Sequence, residues 1–184
     1  MVPPEVDTPA DVANGTVLGV KNAAVRKLDH ELGIPADQLP LGQFKFLTRL
    51  HYWAADTVTH GTKSPWGEHE IDYVLFFCVK NKSDLTVNPH PDEVDEVAWV
   101  SPQVLQEMMA DSKLLFSPWF RLIVQKWLLH IWWKDLQLTM TTDKCCDYGS
   151  IHEFDPPTEH LGGGGDAGPL FPAKQQQITA GDAR

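Results

Sequence analysis

A chain of 184 residues with 42% hydrophobic residues is long enough to bury one full core, and it reads as one globular domain followed by a tail. A formal charge of −10 argues against a nucleic-acid-binding surface while leaving room for a phosphorylated ligand in a local basic pocket. No apolar run approaches the ~20 residues that cross a bilayer, Met1-Val2-Pro3-Pro4-Glu5 has no signal-sequence pattern, and Cys78 with the adjacent Cys145 and Cys146 forms no spaced disulfide framework, so the expectation is a cytoplasmic, reduced chain without a membrane partner.

In chain order, residues 1–16 are rich in Pro, Asp and Gly and predict a loop. Val17, Val20, Ala24, Leu28 and Leu32 recur at intervals of three and four, which predicts a helix stopped by Gly33 and kept from continuing by Pro35. Lys27 and Glu31 lie one turn apart off that apolar line, the spacing of a solvated ion pair of small energy. Strands are predicted over Phe44–Ala54 and Glu70–Lys80, joined by a long Gly/Pro/Thr-rich loop, and a third over Val97–Val100. Ser101-Pro102 and Ser117-Pro118 each have a cap residue followed by a first-turn proline and each opens a helix. The second helix is predicted to run to about Leu136 with Trp119, Phe120, Ile123, Trp127, Leu128, Ile131 and Trp132 facing a core, because Arg121, Lys126 and Lys134 interrupt any membrane-like run. After Thr139 the periodicity ends, and the Gly162–Gly165 run, the prolines and the Gln-rich end predict a disordered tail over 139–184 behind a domain over 1–138.

The stretch Glu68-His69-Glu70-Ile71-Asp72-Tyr73 leads into an apolar run, Val74–Val79, that reads as covered on both faces. Strand alternation puts Glu68, Glu70 and Asp72 on one side and His69, Ile71 and Tyr73 on the other. Three carboxylates on one face repel one another unless a hard divalent cation or a shared proton compensates. A sheet edge whose polar residues simply face water gives the same pattern. Cys78, within the apolar run, reads as an inert buried thiol.

Arg26-Lys27-Leu28-Asp29-His30-Glu31-Leu32-Gly33-Ile34 resembles the second half of a Nudix box, with Lys27 and His30 where the hydrolases carry glutamates and Val12 and Leu18 where the box opens with Gly and Glu. This degenerate pattern, with Leu47-Thr48-Arg49-Leu50-His51-Tyr52, Trp66-Gly67-Glu68-His69-Glu70-Ile71-Asp72-Tyr73 and Ser117-Pro118-Trp119-Phe120 in order, resembles the type I isopentenyl-diphosphate isomerases over roughly residues 17–136. The resemblance implies an α+β, Nudix-like mixed sheet flanked by helices, incomplete at its N-terminus. It also implies a 1,3-proton shift that interconverts isopentenyl and dimethylallyl diphosphate through a tertiary carbocation.

By that resemblance Glu70 is the acid and also a metal ligand beside Glu68, with Tyr52 hydrogen-bonded near the acid. Trp119 offers its π face to the cation, Glu31 holds the Mg2+ that carries the diphosphate, and Lys27 contacts the diphosphate. A second divalent ion, Zn2+ or Mn2+, belongs at Glu68 and Glu70, and the partner is a small allylic or homoallylic diphosphate. Glu68 and Glu70 are therefore expected close enough to share one cation, with Glu31 approaching the same cavity. Trp119 is expected to line the pocket of Glu70 and Tyr52, whereas a packing role would place it with Trp127 and Phe120. The family carries a Cys-x-His-Pro segment and histidine ligands upstream of the position where this chain begins. The chain as written is thus expected to have an impaired metal site and no useful isomerase rate. Two other readings stay open: a non-catalytic protein that binds a diphosphate or a partner, and a Nudix hydrolase, which needs carboxylates where Lys27 and His30 stand.

Overall fold

A computed structural model describes residues 15–55 and 67–154. The expected loop over 56–66 with Trp66, most of the expected N-terminal loop, and 155–184 with its Gly run lie outside the described residues. The chain divides into two compact units, Met1–Thr48 with Tyr73–Trp99 and Arg49–Asp72 with Val100–Arg184. Strands β1 (Phe44–Ala55) and β2 (Gly67–Phe77) contribute residues to both.

In the first unit, helix α1 covers Leu18–Leu32 and starts from Val17, whose φ of 33° is an outlier for a β-branched residue. Complete burial of the Val17 side chain offsets that strain. Gly33, at φ 60°, ends the helix: its N–H donates to Asp29 O (2.9 Å), and the Ile34 N–H reaches Leu28 O (3.2 Å). The segment after β2 satisfies further last-turn carbonyls, Asn88 N–H donating to Leu32 O (2.8 Å) and His90 N–H to Glu31 O (2.9 Å). Ile34, Leu39 and Phe44 form the core here, with Leu28 and Leu32 of α1 and Leu75 and Phe77 of β2 packed against them. A Cβ on Gly33 would run into the Asn88 carbonyl as well as a left-handed backbone. Gly33→Ala should therefore destabilise the protein by about 2–5 kcal/mol, the sum of the conformational and overpacking terms. Urea denaturation measures this, and an unchanged midpoint would refute the close approach.

In the second unit the sheet order is β2-β1-β3, where β3 is His152–Glu153 and pairs parallel to β1 with Leu50 opposite His152 and His51 opposite Glu153. β2 runs antiparallel to β1, since His51 meets His69 and Tyr52 meets Glu68. The result is the mixed sheet with flanking helices that the resemblance implies, an α+β fold. Helix α2 spans Pro102–Ala110, and its Ser101 cap accepts a hydrogen bond from Val104 N (3.2 Å). Helix α3, Pro118–Ile123, continues as a π-helix over Val124–Trp132. The wider turn stacks residues five apart, so Trp127 and Trp132 lie face to face at 5.8 Å and 10°, and Trp133 N–H donates to Leu128 O (2.8 Å). Asp135 then caps a separate helix α4, Leu136–Thr141, where a single helix to about Leu136 was expected. Among the described residues no helix is long and apolar enough to cross a membrane.

Three sequence expectations are corrected. Val97–Val100 forms no strand: it finds no hydrogen-bonding neighbour in the sheet, and Trp99 stays 57% exposed. β2 ends at Phe77, and its apolar residues Val74–Phe77 are half-buried rather than covered on both faces. The third concerns residues 139–154, which fold instead of beginning a disordered tail. Thr139 is fully buried and its hydroxyl donates to Trp132 O (3.0 Å). Trp132 Nε1 donates to Cys145 O (3.3 Å), Arg49 Nη2 to Tyr148 O (3.2 Å) and Phe154 N–H to His51 O (3.0 Å). This strap is anchored residue by residue, so it has no hydrophobic period for a sequence to display.

His152 in the strap contacts Asp147 Oδ2 (3.0 Å) and the Trp127 ring (centroids 5.2 Å). Burial lowers the imidazole below its ordinary value of 6.5, outweighing the attraction of Asp147. Burial would raise the Asp147 carboxyl, but the Ser150 and Gly149 N–H groups and His152 hold it low. The folded state thus binds fewer protons than the unfolded chain at His152. Its contribution to stability is present above pH about 6.5 and lost as pH falls through the lowered folded value. Urea midpoints measured from pH 8 down to 5 should drop more for the wild type than for His152→Gln; parallel curves would refute this assignment.

Candidate functional site

The site builds on the start of β2. A Cβ on Gly67 would strike the Ala54 carbonyl oxygen, so glycine here lets β2 begin tight against β1. That approach brings Glu68 to Tyr52, which is only 2% exposed and whose hydroxyl donates to Glu68 Oε2 at 2.7 Å. Burial, then the Glu68 bond and the charges of Asp72, Glu68 and Glu70 raise the Tyr52 hydroxyl above its ordinary range. It therefore stays a protonated donor. Asp72, half-buried, has its carboxyl pushed up to about 6 by burial and then by Glu70 and Glu68. The charges of all three carboxylates thus reach the Tyr52 hydroxyl. His51 and His69 sit on the other face, Nε2 to Nε2 at 2.8 Å.

Tyr52 bonds Glu68, which lies directly across the strand pair and two residues from the expected acid Glu70. Other placements differ from expectation. Glu70 and Glu68 are exposed, not held in a dry pocket. Among the described residues no group of three or more His, Cys, Asp or Glu side chains is close enough together to hold a metal ion. The carboxylate oxygens suit a hard cation in kind, yet they do not assemble a closed donor set. Glu31 belongs to the first unit, where it forms an ion pair with Lys27, and the Glu31 hydrogen bond and charge raise the Lys27 ammonium above its usual value. Lys27 is thus engaged by the neighbouring carboxylate, as the i,i+4 spacing predicts.

Trp119, half-buried in the first turn of α3, sets its ring at 82° to Phe120 with centroids 5.9 Å apart, while Trp127 stacks on Trp132 instead. Cys78 lies just beyond β2, half-buried, and burial pushes its thiol up, away from the reactive thiolate. The sequence reading placed Asp72 on the carboxylate face without giving it a role. Its raised pKa depends on the burial of the strand's last polar residue, which alternation alone does not report.

A family model for the NUDIX domain matches residues 3–120. The isopentenyl-diphosphate delta-isomerase of Schizosaccharomyces pombe is 48% identical over 120 residues, 65% of this chain and 48% of that protein. The protein of the same name from Candida albicans is 47% identical over 128 residues, covering 68% and 43%. Isopentenyl-diphosphate delta-isomerase IDI1 of Gibberella zeae is 45% identical over 121 residues, covering 66% and 44%. The chain spans about half the length of these curated relatives. With the family model covering more than half of its residues and the mixed α+β sheet in place, this chain belongs to the NUDIX domain family.

Proposed function

We propose that this chain supplies the acid side of an isopentenyl-diphosphate isomerase, delivering a proton to the double bond of a homoallylic diphosphate, while the cysteine of the family's Cys-x-His-Pro segment takes the second proton from the opposite face. What supports the reading is the buried Tyr52 hydroxyl bonded to Glu68, together with the mutual electrostatic influence of Glu68, Glu70 and Asp72. Protonating an unactivated alkene requires a carboxylic acid placed against it. Glu70 would deliver the proton. Tyr52, remaining a donor, would fix Glu68 so that the carboxylates do not spread apart. The Trp119 indole would face the developing cation, and Lys27 would exchange Glu31 for the diphosphate.

Glu31 would offer its carboxylate to Mg2+ on the diphosphate, and Glu68 with Glu70 to Zn2+ or Mn2+, each ion completing its shell with water or substrate oxygens. Bound there, a cation would neutralise the carboxylate row. The test is to incubate the 184-residue chain, and the same chain extended upstream through the family's Cys-x-His-Pro segment, with isopentenyl diphosphate and Mg2+, with and without Zn2+ or Mn2+, in D2O. Dimethylallyl diphosphate carrying deuterium from the extended form, with little from the 184-residue chain, supports the reading. Release of phosphate by the extended form identifies a hydrolase, and binding by it without either product identifies a diphosphate binder; both outcomes overturn the reading.

A further inference from the structure

The face of the sheet opposite Tyr52 carries a pair of imidazoles that the isomerase reading does not use. His51 on β1 and His69 on β2 bring Nε2 to Nε2 at 2.8 Å, with ring centroids 5.0 Å apart and planes 29° apart, so the nitrogens are the nearest points of the two rings. Both residues reach solvent, His69 the more. The geometry points to a two-nitrogen site for a borderline first-row divalent ion, Zn2+ being the natural occupant, that clips β1 to β2.

Two bonds of about 2.0–2.1 Å meeting at a tetrahedral ion place the nitrogens roughly 3.3 Å apart, so the rings need open by only about half an ångström to accept one. Imidazole selects such ions over Mg2+, which prefers oxygen donors. Glu153 lies in register with His51 on β3, and Phe154 N–H holds that strand by donating to His51 O (3.0 Å). Neighbours across a sheet share a face, so His69, His51 and Glu153 form one row over three strands. The three are not drawn together in the resting structure, where no three-donor group exists among the described residues. Water therefore fills the remaining positions unless Glu153 closes in. Because His51 and His69 are the sequence neighbours of Tyr52 and Glu68, an ion here pins the strand pair beneath the Tyr52–Glu68 bond.

The experiment is a Zn2+ titration of the 184-residue protein, followed in long-range ¹H–¹⁵N spectra of its imidazole nitrogens. This readout is specific to each ring, so binding at the cysteines does not obscure it. The expected result is that the Nε2 signals of His51 and His69 shift together along one binding curve. His51→Ala should weaken the His69 response at least tenfold, and His69→Ala the His51 response likewise. Glu68→Gln and Glu70→Gln should leave both curves in place. Unshifted nitrogens at excess Zn2+, a His69 response that survives His51→Ala unchanged, or loss of the response in Glu70→Gln would each overturn the site. None of these readouts depends on isomerase turnover.

Discussion

In a form extended upstream through the family's Cys-x-His-Pro segment, Glu70→Gln is expected to lower the turnover of isopentenyl diphosphate by about 10²–10⁴-fold, the range for losing one general acid, with little change in KM. The amide keeps the volume and strand position of the carboxylate but carries no transferable proton. A second readout separates this role from a structural one. Glu70 is the largest electrostatic contributor to the raised Asp72 carboxyl, so Glu70→Gln should let Asp72 titrate below its present value of about 6. Carboxyl ¹³C signals followed against pH measure that shift. Turnover within tenfold of wild type would remove Glu70 from the acid role, and an unmoved Asp72 would show that the two carboxylates do not share a face. Glu68→Gln should act differently, since its amide oxygen can still accept the Tyr52 hydrogen bond and only the charge is lost.

Phe154→Ala is expected to cost about 3–5 kcal/mol, the range for truncating a buried aromatic. Against a typical total of about 5–15 kcal/mol, that is a large share of the stability. Phe154 is 8% exposed, meets Trp127 edge-on with centroids 6.0 Å apart, and lies under the Lys126 ammonium at 4.3 Å. Burial lowers the Lys126 pKa, so it sits over the ring as a partly desolvated cation, which strengthens the cation–π contact. Removing the ring opens a cavity between the π-helix and β3 and loosens the strap from β1. Urea denaturation should show the loss, and hydrogen exchange should show earlier opening of the Phe154 amide bonded to His51 O. A midpoint within 0.5 kcal/mol of wild type would mean that residues 145–154 rest on the sheet without stabilising it.

Where a local rule decides structure, the amino-acid sequence determined it. Intervals of three and four from Val17 to Leu32 with Gly33 beyond them specified α1, because only glycine accepts the left-handed stop without strain. Ser101-Pro102 specified the start of α2, and strand alternation put Glu68, Glu70 and Asp72 on one face. The Lys27–Glu31 pair followed from helical spacing. Tertiary structure decided what depends on a distant partner. Val97–Val100 has strand composition but pairs with none of the described strands. The partner of Tyr52 is Glu68 because strand register, not residue type, sets which carboxylate lies opposite. The π-turn under Trp127 and Trp132 answers to ring stacking rather than to any breaker residue. Residues 139–154 read as tail because their hydrogen bonds to Trp132, Arg49 and His51 follow no repeating spacing, and a pattern of neighbouring positions does not register them.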